Sequence, residues 1–199
     1  DVTGLNDGTL TVSLTLVDLA GNISTAVTNT VSKDANLPEV TNVAIAAGNY
    51  AEGDAIVVTI TLGEDVTLSG TNSTLAIDIG GITRQAAFVS ENAGVLTYQY
   101  TVQANENTEG TGVIALANGI TLNGDTVLDA GNNNASLVYA QTNNTSAQVD
   151  TTAPVGVVVA SPATAVSVNA DNYEIKGTHA EIGLTINLYT DTGNDGTAD

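Results

Sequence analysis

The chain has 199 residues, 42% of them apolar, enough for one large domain or two small ones with a true core. Its 22 Asp and Glu face only Lys33, Arg84 and Lys176, a formal net charge of -19. That balance excludes a basic nucleic-acid surface, while one histidine and no cysteine exclude disulfide staples, thiol chemistry and His-dependent triads or multi-His metal sites.

In chain order, short runs of alternating apolar and small polar residues recur. They are Leu10 to Val17, Ala55 to Leu62, Leu75 to Ile79, Val95 to Val102 and Leu184 to Tyr189. No stretch carries a helical period, and no run of about twenty apolar residues predicts membrane insertion. Between the runs lie turn formers: Asn6-Asp7-Gly8, Glu91-Asn92-Ala93-Gly94 and Ala130-Gly131-Asn132. The pattern predicts an all-β chain of antiparallel β-sandwich type.

Two connectors repeat: Lys33-Asp34-Ala35-Asn36-Leu37-Pro38 and Val149-Asp150-Thr151-Thr152-Ala153-Pro154. Each follows a Val/Thr-rich strand and stiffens before a new module. The turns Asp18-Leu19-Ala20-Gly21-Asn22 and Asp129-Ala130-Gly131-Asn132 form a second matching pair, each ahead of its connector. The chain therefore divides into the C-terminal half of a module (1–33), one complete module (35–149) and the N-terminal half of a further one (150–199). It reads as an internal section of a longer protein.

The Asp-Val-Thr-Gly-Leu-Asn-Asp-Gly-Thr opening, the Asp-x-Ala-Gly-Asn turn, the Asp-Thr-Thr-Ala-Pro connector and the Ala180-Glu181-x-Gly183 turn resemble the tandem bacterial immunoglobulin-like domains of giant RTX and biofilm-associated adhesins. The resemblance implies Ig-like β-sandwiches in an elongated rod. It also implies an extracellular place on a bacterial surface and the role of a structural spacer, often with Ca²⁺ at the joints. The alternative is an adhesive module recognising a carbohydrate or protein surface. An enzymatic role is not expected: Ser and Thr lack a base, and Trp is absent where a sugar cleft would want stacking surface.

With hard oxygen donors in excess, Ca²⁺ is the metal this composition suits, although a carboxylate-rich surface that only keeps the chain soluble would show the same charge. Strands of a sandwich alternate direction, so loops are assigned to ends. Asp34 of the connector should meet Glu64 and Asp65 after strand Ala55 to Leu62, together with Asp129 and Asn132. At the second joint, Glu52, Asp54 and Asp150 should face Asp191, Asn194, Asp195 and Asp199. The run Asp191-Thr192-Gly193-Asn194-Asp195-Gly196 is only loosely like an EF-hand loop, since no Glu closes it. The two halves are expected to pair head to tail between neighbouring chains. Asp18 and Asn22 of one chain would then join Asp150 and the 191–199 loop of another, while Glu181 approaches the neighbour's Asp34.

Overall fold

The computed structural model describes residues 2–108, 112, 114–140, 143–144, 146–156, 158–161 and 176–178. Among these residues no helix occurs, so none is long and apolar enough to cross a membrane. The chain divides into two compact units, Asp1–Thr151 and Thr152–Asp199. The division falls two residues beyond the expected boundary at 149/150, and residues 1–33 belong to the first unit.

The first unit opens with a two-stranded antiparallel sheet, β1 (Gly8–Leu14) with β2 (Val27–Lys33). Its register sets Leu10 opposite Val31 and Leu14 opposite Val27, so with Val12 the apolar side chains share one face. The other face carries only Thr and Ser. Eleven more strands follow: β3 (Val40–Ile45), β4 (Gly48–Tyr50), β5 (Ala55–Leu62), β6 (Thr67–Leu68), β7 (Thr74–Ile79), β8 (Ile82–Asn92), β9 (Val95–Thr101), β10 (Ile114–Thr121), β11 (Val127–Leu128), β12 (Asn143–Asn144) and β13 (Ala147–Val149). Seven of them make one antiparallel sheet in the order β12-β10-β7-β8-β9-β5-β3. β6 pairs antiparallel with β11, and β4 pairs parallel with β13.

The period-two pattern does what it predicts. Along β5, Ile56, Val58, Ile60 and Leu62 are buried and alternate with half-buried residues. Leu75, Ile77 and Ile79 of β7 and Leu96 and Tyr98 of β9 repeat it, and Val127, Ala147 and Val149 of the small pairs complete the same core. Each of the buried Val, Leu and Ile side chains contributes about 1.5–3 kcal/mol by burial. Tyr98 is the largest side chain of this core. Its hydroxyl lies 3.1 Å from Ser73 Oγ, and its ring meets Phe88 edge-on at 5.8 Å, so the polar tip is satisfied inside an apolar core.

Glu106, in the loop after β9, is buried. Its Oε1 accepts from Tyr100 Oη at 2.6 Å and from Arg84 Nε, and its Oε2 accepts from the Gln103 N–H at 2.9 Å. Arg84 is the chain's only arginine. The next residue, Asn107, bridges Asp150 and accepts the Thr151 N–H on Oδ1 at 2.8 Å, so the pinned loop holds the outgoing connector. In the second unit β14 (Val158–Ser161) pairs antiparallel with β15 (Lys176–Thr178). The strand expected at Leu184 to Tyr189 lies outside the described residues, as do Glu181, Asp191, Asn194, Asp195 and Asp199.

Candidate cation site

Three segments far apart in sequence supply one acidic cluster. Asp34 comes from the connector between β2 and β3, Glu64 from the β5–β6 loop and Asp129 from the turn after β11, with one carboxylate oxygen of each within 4.8 Å of the others. The Gly63 N–H donates to Glu39 O at 2.9 Å, which ties the β5–β6 loop to the end of the connector. Among the described residues it is the one group of three or more potential ligating side chains gathered this closely.

Asp129 is buried and held by its own turn. Its Oδ1 accepts the Asn133 N–H at 2.8 Å and its Oδ2 accepts Asn133 Nδ2 at 2.9 Å. Burial pushes its pKa up, but the hydrogen bonds from Asn133 and the Gly131 N–H outweigh that and hold it below its ordinary value. Asn133 Nδ2 also reaches Asp34 O at 3.3 Å, linking turn to connector. Gly131 is needed for close approach: a Cβ there would lie 2.8 Å from Asn133 Nδ2 and 3.2 Å from both Asp129 Oδ1 and Asp34 Cβ.

Glu64 carries the cost of this convergence. Desolvation raises its pKa, and the charges of Asp34 and Asp129 raise it further. A cation among the three would reverse that balance. The donor set fits a hard divalent ion, because it is all carboxylate oxygen with neither sulfur nor imidazole.

Of the five residues expected at this joint, three converge. Asp65 is exposed and outside the cluster, because the alternation that buries Leu62 and Val66 turns it outward. Asn132 is exposed as well, with φ at 62°, and Asn133 binds Asp129 in its stead. Glu52, Asp54 and Asp150 lie near the outgoing connector without forming a comparable group among the described residues. Asp54 Oδ2 caps its own turn by accepting the Ala51 N–H at 2.8 Å, and the Asp150 N–H donates to Tyr50 O at 3.0 Å.

Asp18 and Asn22 close on one another. Asn22 Nδ2 donates to Asp18 Oδ2 at 2.8 Å, and Asp18 Oδ1 accepts the N–H groups of Ala20 and Asn22. These bonds, that of the Asn22 side chain first, lower the Asp18 pKa. The turn is the structural twin of the one at Asp129, displaced by 111 positions. Asp18 corresponds to Asp129, left-handed Gly21 to left-handed Asn132, and Asn22 to Asn133. The flanks match too: Val17 bridges Ile23 as Leu128 bridges Asn134, and the Ser24 N–H donates to Leu16 O as that of Ala135 does to Val127 O. Matching by letters put the second asparagine at Asn132. The backbone moves it one residue on, because the fourth turn position must adopt positive φ and either Gly or Asn can.

Asp7 and Lys33 were not expected here. Lys33 Nζ and Asp7 Oδ1 are 2.7 Å apart, and the Asp7 pKa is lowered by Lys33 first and then by the backbone N–H of Ala35. Asp7 thus braces the connector from the side of β1. Its Asn-Asp-Gly context reads as an ordinary turn, and a pairing across 26 residues left no local signal. No protein-family model matches this chain, and no curated protein does.

Proposed function

We propose that the chain is a non-catalytic spacer section of a bacterial cell-surface adhesin, built of Ig-like β-sandwich modules in series and stiffened by Ca²⁺ where one module joins the next. The observation that carries this reading is the convergence of Asp34, Glu64 and Asp129, whose oxygens lie within 4.8 Å of one another. Asp34 sits in the connector itself, so an ion shared by the three would tie the incoming chain to the two loops it meets. Carboxylates binding through one or both oxygens, with carbonyls or water, can reach the six to eight oxygens Ca²⁺ takes. The recurrence of one turn at 16–24 and at 127–135 supports repeated modules of a single type.

Calorimetry in calcium and in chelator, at low salt, tests the reading. An ion that binds only the folded state stabilises it by about 2.7 kcal/mol at a hundredfold excess over its Kd. Calcium should raise the melting temperature and magnesium, which demands a tighter octahedron, should raise it less. Identical melts in calcium and chelator would reject the cation and leave an acidic surface serving solubility.

A further inference from the structure

The segment that follows the first connector and the segment that leads into the second run side by side in one direction. Glu39 forms a parallel bridge with Ser136, and β4 pairs parallel with β13, Gly48 opposite Ala147, Asn49 opposite Gln148 and Tyr50 opposite Val149. The Ser136 N–H donates to the carbonyl of buried Pro38 at 2.8 Å, the Gly48 N–H to Ser146 O at 2.8 Å and the Asp150 N–H to Tyr50 O at 3.0 Å. Every other strand pair among the described residues is antiparallel, so the parallel pair falls where the chain leaves the large sheet's unit. β13 is gripped on its second edge as well. The Thr108 N–H donates to Val149 O at 2.9 Å, and Thr108 Oγ1 accepts the Val149 N–H at 3.0 Å. Asn107 bridges Asp150 antiparallel and accepts the Thr151 N–H. Both residues follow Glu106, which Arg84 and Tyr100 pin. Ala147 and Val149 are fully buried, so any sliding of β13 also draws two apolar side chains out of the core.

Strand direction decides how such a pair meets tension. A pull on the start of one parallel strand and on the end of the other acts along both, in opposite senses. The cross-strand hydrogen bonds then lie across the load, share it and must fail together. A pull on the same end of both strands opens those bonds one after another. We propose that β4, β13 and residues 107–108 form a mechanical clamp, which bears tension passing between the connector at Asp34 to Pro38 and the connector at Asp150 to Pro154. Load arriving at Pro38 acts on the start of the entering segment, and load leaving at Asp150 acts on the end of β13, so the parallel pair is sheared. β3 is drawn lengthwise along β5 by the same pull, and if it slips, β4 still stands between the load and the core. The spacer reading supplies the load and the inference rests on it for that alone. The clamp itself follows from strand direction and needs no ion at Glu64.

Single-molecule force spectroscopy on the full-length chain tests this, with handles attached through paired cysteines in a chain that has none of its own. Asn36→Cys with Ala153→Cys applies tension through the two connectors and shears β4 against β13. Glu52→Cys with Ala153→Cys pulls just beyond the shared end of the same two strands and peels them apart. All three positions are exposed, so the comparison of handles alters no buried residue. At one pulling rate the connector handles should need a rupture force at least about twofold higher, because forced unfolding is governed by the unfolding barrier along the direction pulled. Thr108→Val removes the hydroxyl from the second edge of β13 at nearly constant volume, and it should lower the shear force toward the peeling force. Both pulls are made in chelator, so their outcome is independent of the calorimetric test of the cation. Equal forces in the two geometries, or a Thr108→Val chain as strong in shear as its parent, would overturn the proposal.

Discussion

Within the cluster Glu64 and Asp129 shift in opposite directions, and their signs can be separated. The folded pKa of Glu64 stands above the ordinary 4.5 because burial and the charges of Asp34 and Asp129 disfavour the carboxylate. An acid with a raised folded pKa binds its proton more tightly when folded, so its contribution to stability falls as pH rises from 4.5 through the folded value and is fully lost above it. Asp129 has the opposite sign. Its pKa is held below 3.8, so the stability it confers is lost only as pH falls through that lower range. Glu64→Gln should therefore raise the melting temperature of the chelated protein above the folded pKa of Glu64 and flatten the decline that sets in as pH rises from 4.5. The same change removes a ligand, so the stabilisation by calcium should shrink by tenfold or more in apparent Kd, as judged by titration calorimetry. Calcium binding to the parent chain should release protons in the same pH range, because a ligating Glu64 must be ionised. A Glu64→Gln chain that melts lower than its parent in chelator would show that the three carboxylates do not repel.

Among the elements, the strands were legible because period two is read from side chains alone: Ala55 to Leu62 and Val95 to Val102 became β5 and β9 within a residue of expectation. The convergence of Asp34, Glu64 and Asp129 was legible for a related reason, since alternating strand direction assigns loops to ends without knowledge of contacts. What stayed hidden depends on side-chain packing across sequence. The Glu106 latch is the main case, because a lone Glu in Gln103-Ala104-Asn105-Glu106 gives no sign that Arg84 and Tyr100 will close on it. Burial comes first in raising the Tyr100 pKa, which with the Glu106 hydrogen bond and charge reaches about 12, while the Glu106 pKa is lowered. Burial raises the Glu106 pKa, and the bonds from Tyr100, Gln103 and Arg84 outweigh it. Glu106→Ala leaves those three donors without their acceptor and should cost about 3 kcal/mol. Its distinctive effect is remote: amide exchange at Thr151, whose N–H donates to the neighbouring Asn107 side chain, should accelerate more than at Ile56 in the core. Uniform acceleration at both sites would mean that Glu106 supports the unit as a whole and does not latch its exit.

For the whole molecule, a net charge of -19 makes rigidity at the entry joint an electrostatic question. Without an ion the connector is braced by hydrogen bonds and one ion pair: Gly63 N–H to Glu39 O and Ser136 N–H to Pro38 O at its end, and two contacts nearer Asp34. The Asp7–Lys33 pair is near the surface, where solvent and salt screen it, and the Asn133 bond to Asp34 O, at 3.3 Å, is long. Against them stand three carboxylates that repel while bare. An ion among them converts that repulsion into attraction on both sides of the connector, so it should decide whether the hairpin keeps one orientation relative to the large sheet. Spin labels on Thr11→Cys in β1 and Thr83→Cys in β8, both exposed positions in a chain without native cysteine, would read that orientation as a distance distribution. In calcium, at low protein concentration so that copies stay apart, the distribution should be narrow. Chelator should broaden it, and raising salt should narrow it in part, because the Debye length falls from about 10 Å at 0.1 M to about 3 Å at 1 M. Asp34→Ala should give a distribution insensitive to calcium while the main core melts within a few degrees of its parent, since Asp34 lies outside that core. If the distributions with and without calcium superimpose, the connector is held by its hydrogen bonds alone and owes none of its stiffness to the ion.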